Sequence, residues 1–402
     1  MTLLSVNDAR AQILASLRPV TTTRVALELA AGRVLAENIR AESDFPHFDN
    51  SSMDGFALRA GDSAPGQTLR VTADIPAGSA SLPTLKAGEA ARIMTGAPLP
   101  PGADAVIAVE ETDFTNRTAG SAAPEKVIVQ RAVRPGENVR LRGADLREGE
   151  VVLHAGRRLR AQDVGLLAML GAESLTVFAR PRVTILSSGD ELVPVGQPLT
   201  PGKIHDSNSY ALAAQVESTG AQALRLGAAK DERAAVQALL DRAAESADLI
   251  VATAGVSVGA FDFVKEVVES NGTLNFWKVN MRPGKPLAFG EYRGVPFMGL
   301  PGNPVSAFVT FEVFARPALE KLAGATMRPR ATRPVILAEA IESDGRESYL
   351  RAVVDPVTNL ARLAGHQGSG NLFSLVQANA LLIIPAGVKS RPAGKPVDAW
   401  LF

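Results

Sequence analysis

The chain has no cysteine in 402 residues. That absence excludes disulfides, a thiolate nucleophile, an iron–sulfur cluster and any cysteine-built zinc site. Histidine is scarce as well: His47, His154, His205 and His366 lie far apart and show no ligand spacing. Net charge is absent, since 42 Lys and Arg offset 42 Asp and Glu. No global field therefore exists to hold a nucleic acid or an anionic membrane, and aromatics at 5% are too few for a base-stacking platform. The uncharged stretch 294–311 is long enough to question, but Pro296, Pro301 and Pro304 break it as a spanning helix. The opening MTLLSVNDAR lacks a basic n-region followed by an apolar h-region, so a soluble cytoplasmic chain is expected. Chemistry must come from carboxylates, Lys and Arg, hydroxyls, backbone groups or a cofactor.

What is present is a globular balance, 46% hydrophobic and 21% charged, with length for two or three folded units. Residues 5–17 open with Ser5 and Asp8 at capping-box-like spacing and predict a helix; residues 25–31 predict a second that stops at Gly32. From about Asp44 the texture changes. Strand patterns at 69–73, 90–94, 105–110 and 126–132 alternate with Pro/Gly punctuation, which predicts a β-rich subdomain at about 44–145. A helix at 162–170 closes an N-terminal region of 1–180.

Between 181 and 328, strands at 182–187, 223–227 and 249–252 alternate with helices at 209–218, 231–244 and 263–270. The helix at 231–244 is read with acidic residues in its first turn. That rhythm calls for parallel β-α-β units in a doubly wound sheet. After Pro329 helical periodicity ends, and 335–340, 348–354 and 381–384 read as strands of a small β domain covering 329–402. The expected fold class is multidomain α/β: a central doubly wound domain between an N-terminal helix-plus-β region and a C-terminal β domain.

In open α/β sheets, ligands bind beyond the carboxyl ends of the strands. SSGDEL, 187–192, reads equally as a turn presenting polar groups or as a helix N-terminus favouring Asp190 and Glu191. TAGVSVGAFDF, 253–263, offers Gly255 and Gly259 for close approach of an anion, the Ser257 hydroxyl and the hard carboxylate of Asp262. It is not a Walker loop, because no GK[ST] follows. In RPGKP, Arg282 and Lys285 bracket a Pro-Gly turn that fixes two cations on one loop, against a plain reading of Lys285 as a solvated charge. Pro301, Gly302, Asn303, Pro304 and Ser306 form a stiff start to the last helix of the segment. Its N-terminal amides and hydroxyl, beside the two cations, suit an oxyanion; simple turn chemistry is the bland alternative. From the β-rich region come Asp54 in NSSMDGFA, Thr95 in RIMTGAP and Asp145 in RLRGADL, each of which also reads as an ordinary turn residue.

Taken together and in order, NSSMDGFA, RIMTGAPLPPGADAV, RLRGADL, SSGDEL, TAGVSVG, RPGKPLAFG, LPGNPVSAFVTF and GHQGSG resemble the molybdopterin molybdenumtransferase family, which is similar to the E domain of gephyrin. The resemblance covers roughly residues 5 to 400. It implies insertion of molybdate into adenylylated molybdopterin on the central molybdopterin-binding domain, with magnesium-dependent cleavage, release of AMP and formation of molybdenum cofactor. By the family's pattern Ser257, Arg282, Lys285, Ser306 and Arg351 line the oxyanion pocket, and Thr95, Ser188, Gly255, Lys278, Pro301, Asn303 and Pro304 contact substrate. Glu191, Asp231 and Asp262 are the implied magnesium ligands and, with Asp54 and Asp145, the implied catalytic carboxylates. A homodimer with a cleft shared between protomers is implied, with the upstream adenylyltransferase as a further partner. Two positions depart from the family's pattern: Ala254 stands where a glycine is common, and Arg282 where lysine is common. The rival readings are an adenylyltransferase-like enzyme, a gephyrin-like scaffold, and a homologue tuned to tungstate. The N-terminal and C-terminal β regions favour the transferase over a single-domain adenylyltransferase.

Overall fold

The computed structural model describes residues 3–115, 121–254 and 258–402, with the backbone alone at 254, 258–262 and 277. Ser5 starts the first helix, its hydroxyl accepting the Asp8 amide at 3.1 Å, and Val6–Ser16 then buries Val6, Ala9 and Ile13. The second expected helix, 25–31, does not form, and its first two residues belong to a strand. Thr22–Ala26 pairs antiparallel with Ser174–Phe178, and only a single 3-10 turn, Leu27–Leu29, follows. Thr22, Thr23 and Val25 are β-branched and favour the pleat over the helix, which outweighs the helix-forming ALELA that follows.

Contacts divide the chain into two units, 38–154 and 1–37 with 155–402. The first is built on a five-stranded sheet in the order Ala105–Ala108, Gly55–Leu58, Glu89–Ile93, Thr68–Ile75, Lys126–Ile128. Phe56, Leu58, Leu69, Ile107 and Val127 are fully buried in its core. Gly55 is obligatory there, because a Cβ would stand 1.9 Å from the Ile107 carbonyl oxygen of the paired strand. The strand at 105 ends at Ala108, earlier than the expected 110, where Val109–Glu111 turns into a 3-10 helix. The strand at 126 likewise stops at Ile128 instead of 132.

In the second unit a six-stranded sheet runs Gln222–Ala229, Arg182–Ser188, Leu249–Ala254, Val295–Leu300, Pro286–Tyr292, Gly272–Lys278. The first four strands are parallel; three of them were expected, and Val295–Leu300 was not. The last two are antiparallel additions, so the sheet is mixed rather than wholly parallel. The cause is local: Arg293 and Gly294 both have positive φ, at 48° and 80°, which makes a two-residue hairpin turn of the primed kind. Helices cover both faces. Leu212, Phe311 and Phe314 pack on one side, and Val236, Leu240 and Val267 on the other.

Strand Arg182–Ser188 lies between its two successors, Gln222–Ala229 and Leu249–Ala254, so the strand order reverses at its carboxyl end. That is where an open α/β sheet leaves a ligand crevice. SSGDEL does not begin a helix; it is a turn between Arg182–Ser188 and the short strand Leu192–Val193. The helix expected from Asp231 begins at Arg233, because the Asp231 amide turns back to Asp190 Oδ1 at 3.2 Å.

In the tail, Glu347–Val354, Leu360–Leu363, Arg333–Leu337, Pro396–Leu401 and Ala380–Ile384 form a closed small barrel, since the first strand also pairs with the last. One helix interrupts the expected all-β texture: Leu372–Gln377, started by the Asn371 side chain accepting the Ser374 amide. Strand Met281–Arg282 adds in parallel to the barrel through Glu347 and Ser348. No helix among the described residues is long and apolar enough to cross a membrane.

Asp163 shows how polar groups are kept satisfied in this frame. It is 3% exposed, accepts from Arg157 at 2.7 Å and from the Arg160 amide at 2.9 Å, and caps helix Ala161–Met169. The Arg157 hydrogen bond, foremost, holds its carboxyl far below the usual range. A depressed folded pKa stabilises above the unfolded value near about 3.9 and loses that contribution as the pH falls. Asp163→Asn should therefore lower stability by about 1–3 kcal/mol at pH 7, with the gap narrowing below about pH 4. Urea unfolding of both proteins at several pH values measures this, and a pH-independent gap would contradict it.

Candidate functional site

The carboxyl end of Arg182–Ser188 opens into a cavity of about 250 Å³ lined by Ser187, Glu191, Asp206, Asn208, Thr253 and Pro304 among others. Two polar atoms beside it have no partner among the described residues: Ser188 Oγ and Asp231 Oδ1, both buried. Burial, and then the charges of Asp190 and Glu191, push the Asp231 carboxyl above the ordinary carboxylate range. An orphaned carboxylate oxygen repelled by two neighbours is the donor chemistry a hard cation relieves. No three His, Asp or Glu side chains among the described residues form a complete metal-holding group. Magnesium does not require one, because it binds through one or two carboxylates with water and substrate phosphates.

The loops around the cavity are tied together by residues that sequence reasoning missed. Asn208 Nδ2 donates to Thr253 Oγ1 at 3.0 Å and to the Gly302 carbonyl at 2.7 Å, bridging two strand ends. Asp206, 7% exposed, accepts the Ser187 hydroxyl at 2.9 Å and the Ser209 amide at 3.0 Å. The signal was present in HDSNSY, 205–210, whose run of capping residues reads only as the start of a helix.

Pro304 occupies the first turn of its helix, as the motif suggests, and Ser306 is buried there. One amide of the helix start is taken within the chain. The Val305 amide donates to the Ser369 carbonyl at 3.0 Å, and Asn303 Nδ2 donates to Ser369 Oγ at 2.8 Å. Ser369, from GHQGSG, was also missed; it brings the barrel's loop onto the α/β layer, with Gly370 lining the cavity. Arg351 fixes that loop from beneath. It is 1% exposed and donates to the carbonyls of His366 at 2.9 Å and Gly368 at 3.1 Å, and to Ser374 Oγ at 2.9 Å. Burial, and then the nearby Arg282 charge, push its pKa down to about 10, so it stays cationic at neutral pH with only neutral acceptors in these bonds.

Arg282 is half-buried at the strand joined to the barrel, while Lys285 is exposed beyond a Pro283-Gly284 turn. Gly284 holds φ at +106°, and a Cβ there would stand 2.3 Å from Thr310 Oγ1, so the turn depends on glycine. Lys278 is exposed at the end of Gly272–Lys278, and Pro301 is buried. Gly255 and Ser257 lie outside the described residues; Asp262 falls in helix Val258–Asn271, its side chain outside them. In unit 38–154, Asp54 Oδ1 accepts both the amide and the hydroxyl of Thr95 at 2.7 Å, and the amide bond foremost lowers its pKa. Asp145 pairs with Arg140 at 2.6 Å, with both side chains about half exposed.

A crevice at the strand-order reversal beside Asp190, Glu191 and Asp231, together with a small barrel bearing a buried arginine, defines a multidomain α/β protein. Three family descriptions match in order: the MoeA N-terminal region (domain I and II) over 4–171, "Probable molybdopterin binding domain" over 184–321, and the MoeA C-terminal region (domain IV) over 334–402. The chain is 40% identical over 403 residues to molybdopterin molybdenumtransferase 2 of Mycobacterium tuberculosis strain H37Rv, covering 97% of this chain and 96% of that one. It is 39% identical over 393 residues to a molybdopterin molybdenumtransferase of Nostoc sp., covering 94% and 88%. The crystal structure of the molybdopterin biosynthesis MoeA protein from Pyrococcus horikoshii OT3 superimposes with a TM-score of 0.85 at 32% identity over the full length of both chains. The chain belongs to the molybdopterin molybdenumtransferase family, a family of enzymes.

The Asp231 environment can be tested without substrate. A raised carboxyl pKa destabilises the fold above that pKa and ceases to do so as falling pH protonates the group. Asp231→Asn should raise the melting temperature of metal-free protein at pH 7, with the advantage shrinking as the pH falls. A melting temperature that is unchanged or lower at pH 7 would show that the carboxylate is not under strain.

Proposed function

We propose that this chain inserts molybdate into adenylylated molybdopterin, cleaving the nucleotide bond to release AMP and molybdenum cofactor. The observation that carries the reading is Asp231, whose buried oxygen has no partner among the described residues and which lies beside Asp190 and Glu191 at the strand-order reversal. The activity for which the relatives are named supplies the reaction class, and their match across the N-terminal and barrel regions favours the transferase over a single-domain adenylyltransferase. The dithiolene of the pterin is the soft donor pair for molybdenum, so a chain without cysteine suffices.

In this reading Glu191 and Asp231, with Asp262, hold magnesium together with substrate phosphates and water. A metal held there would supply positive charge against the substrate phosphates. Arg282 and Lys285 attract the molybdate dianion, while buried Arg351 adds positive potential and fixes the 366–370 loop. Thr253, Gly302 and Pro304 line the cavity, and Asn208 ties the two strand ends together.

Lys285→Ala should raise the molybdate concentration for half-maximal turnover by about tenfold to a hundredfold, since a charge-assisted hydrogen bond contributes about 1.5–3 kcal/mol. Turnover assays with varied molybdate measure this. An unchanged molybdate dependence would make Lys285 a pterin-phosphate contact instead. Asp262→Ala should abolish magnesium-dependent AMP release with the fold intact, as read by circular dichroism; normal AMP release would remove Asp262 from the metal site.

The same reading makes the chain a homodimer in which the Asp54 and Thr95 set of one copy serves the α/β unit of another. Mixing inactive Asp54→Ala and Asp262→Ala chains should then restore up to one active cleft per mixed dimer. No recovery after subunit exchange, or a sedimentation mass of one chain at micromolar concentration, would refute the shared site.

A further inference from the structure

The amino ends of the central strands carry a second cationic crevice, away from the reaction site. Arg182 and Ser188 are the two ends of one strand, so they lie roughly 20 Å apart at about 3.3 Å per residue. Beside Arg182 is a cavity of about 380 Å³, lined by Thr21, Thr23, Arg33, Arg180, Arg182 and Asp248 among others. Its volume falls within the range of about 300–1,000 Å³ typical of small-molecule sites.

The charges in this crevice do not balance. Asp248 is committed to Arg182, accepting its amide at 2.8 Å and its Nε at 3.4 Å. Among the described residues the Arg33 guanidinium donates to a neutral group, the Phe178 carbonyl at 2.9 Å. Neither Arg33 nor Arg180 is paired with a carboxylate among the described residues. Three guanidinium groups and one carboxylate leave an excess of two positive charges in the lining. Burial, and then the charge of Arg180, lower the pKa of Arg33, so the two cations are close enough to repel. Such a pair is a standing electrostatic penalty that a bound dianion would reverse. The guanidinium fork suits phosphoryl oxygens, and the lining threonines add hydroxyl donors.

We propose that the crevice formed by Arg33, Arg180 and the Thr21–Thr23 segment binds a phosphoryl dianion, either free phosphate or the phosphate of a small phosphomonoester. It is a binding site separate from the carboxyl-end cavity, and it shares no lining residue with it. The exposed Arg180 is the residue to change, because Arg33 also holds the Phe178 carbonyl and its loss would disturb the fold.

Thermal melts at fixed ionic strength, in chloride against increasing inorganic phosphate, test the proposal on the full-length chain. Phosphate should raise the melting temperature of the unmodified protein to a plateau, as binding to the folded state requires. Lys285→Ala, altered at the other end of the sheet, should keep that rise. Arg180→Gln should lose it, and in chloride alone should melt no lower than the unmodified protein, because a like-charge contact has been removed. Retention of the phosphate response by Arg180→Gln, loss of it only in Lys285→Ala, or no response in the unmodified protein would each overturn the site. A parallel titration with phenyl phosphate distinguishes the two sources: a larger shift at lower concentration identifies a phosphomonoester, and an equal shift identifies the free anion.

Discussion

The buried guanidinium of Arg351 is the interaction on which the junction of barrel and α/β layer depends. An arginine out of water is costly unless its donors are satisfied, and here Ser374 and the carbonyls of His366 and Gly368 satisfy them. Those bonds fix the loop whose Ser369 meets Asn303 and the Val305 amide. They do so without cancelling the charge, since no carboxylate takes part. The same bonds that stabilise the loop therefore leave positive potential near Arg282, and burial, followed by the Arg282 charge, lowers the pKa of Arg351. In the proposed reaction an incoming oxyanion supplies the missing negative charge.

The acidic cluster is the electrostatic counterpart of this junction. Asp190, Glu191 and Asp231 converge where the strand order reverses, and the Asp231 carboxyl is strained by burial and by its neighbours. A free protein carrying unpaired charge of each sign in separate places is less stable than it could be. Such strain is characteristic of sites whose ligands complete them.

Much of the fold was legible in the sequence because it rests on periodicity. The alternation of 182–187, 223–227 and 249–252 with helices gave the parallel strands and located the loops that hold Ser188, Glu191 and Asp231. What periodicity does not encode was missed. Met281–Arg282 is a strand of two residues with no pattern to read, yet it couples the α/β layer to the barrel. Strands Pro286–Tyr292 and Val295–Leu300, with the hairpin at Arg293-Gly294 that joins them, were not among the expected elements. Residues 25–31 were taken for helix because the strand Thr22–Ala26 that claims Val25 and Ala26 is decided by a partner distant in sequence, Ser174–Phe178. Arg351 was expected to reach a ligand, and nothing in YLRAVV signals that arginine, a residue seldom fully buried, lies in the interior. Asn208 and Asp206 were hidden because capping residues and site residues share one chemistry.

The central claim is that one chain couples cleavage of the nucleotide bond to capture of an oxyanion. Purified protein mixed with adenylylated molybdopterin, magnesium and molybdate measures it most directly, with AMP and pterin-bound molybdenum quantified in the same sample. The account predicts AMP and pterin-bound molybdenum appearing in equal amounts, both abolished when magnesium is chelated. Molybdenum incorporation without AMP, or AMP released at the full rate with no molybdenum bound, would contradict it.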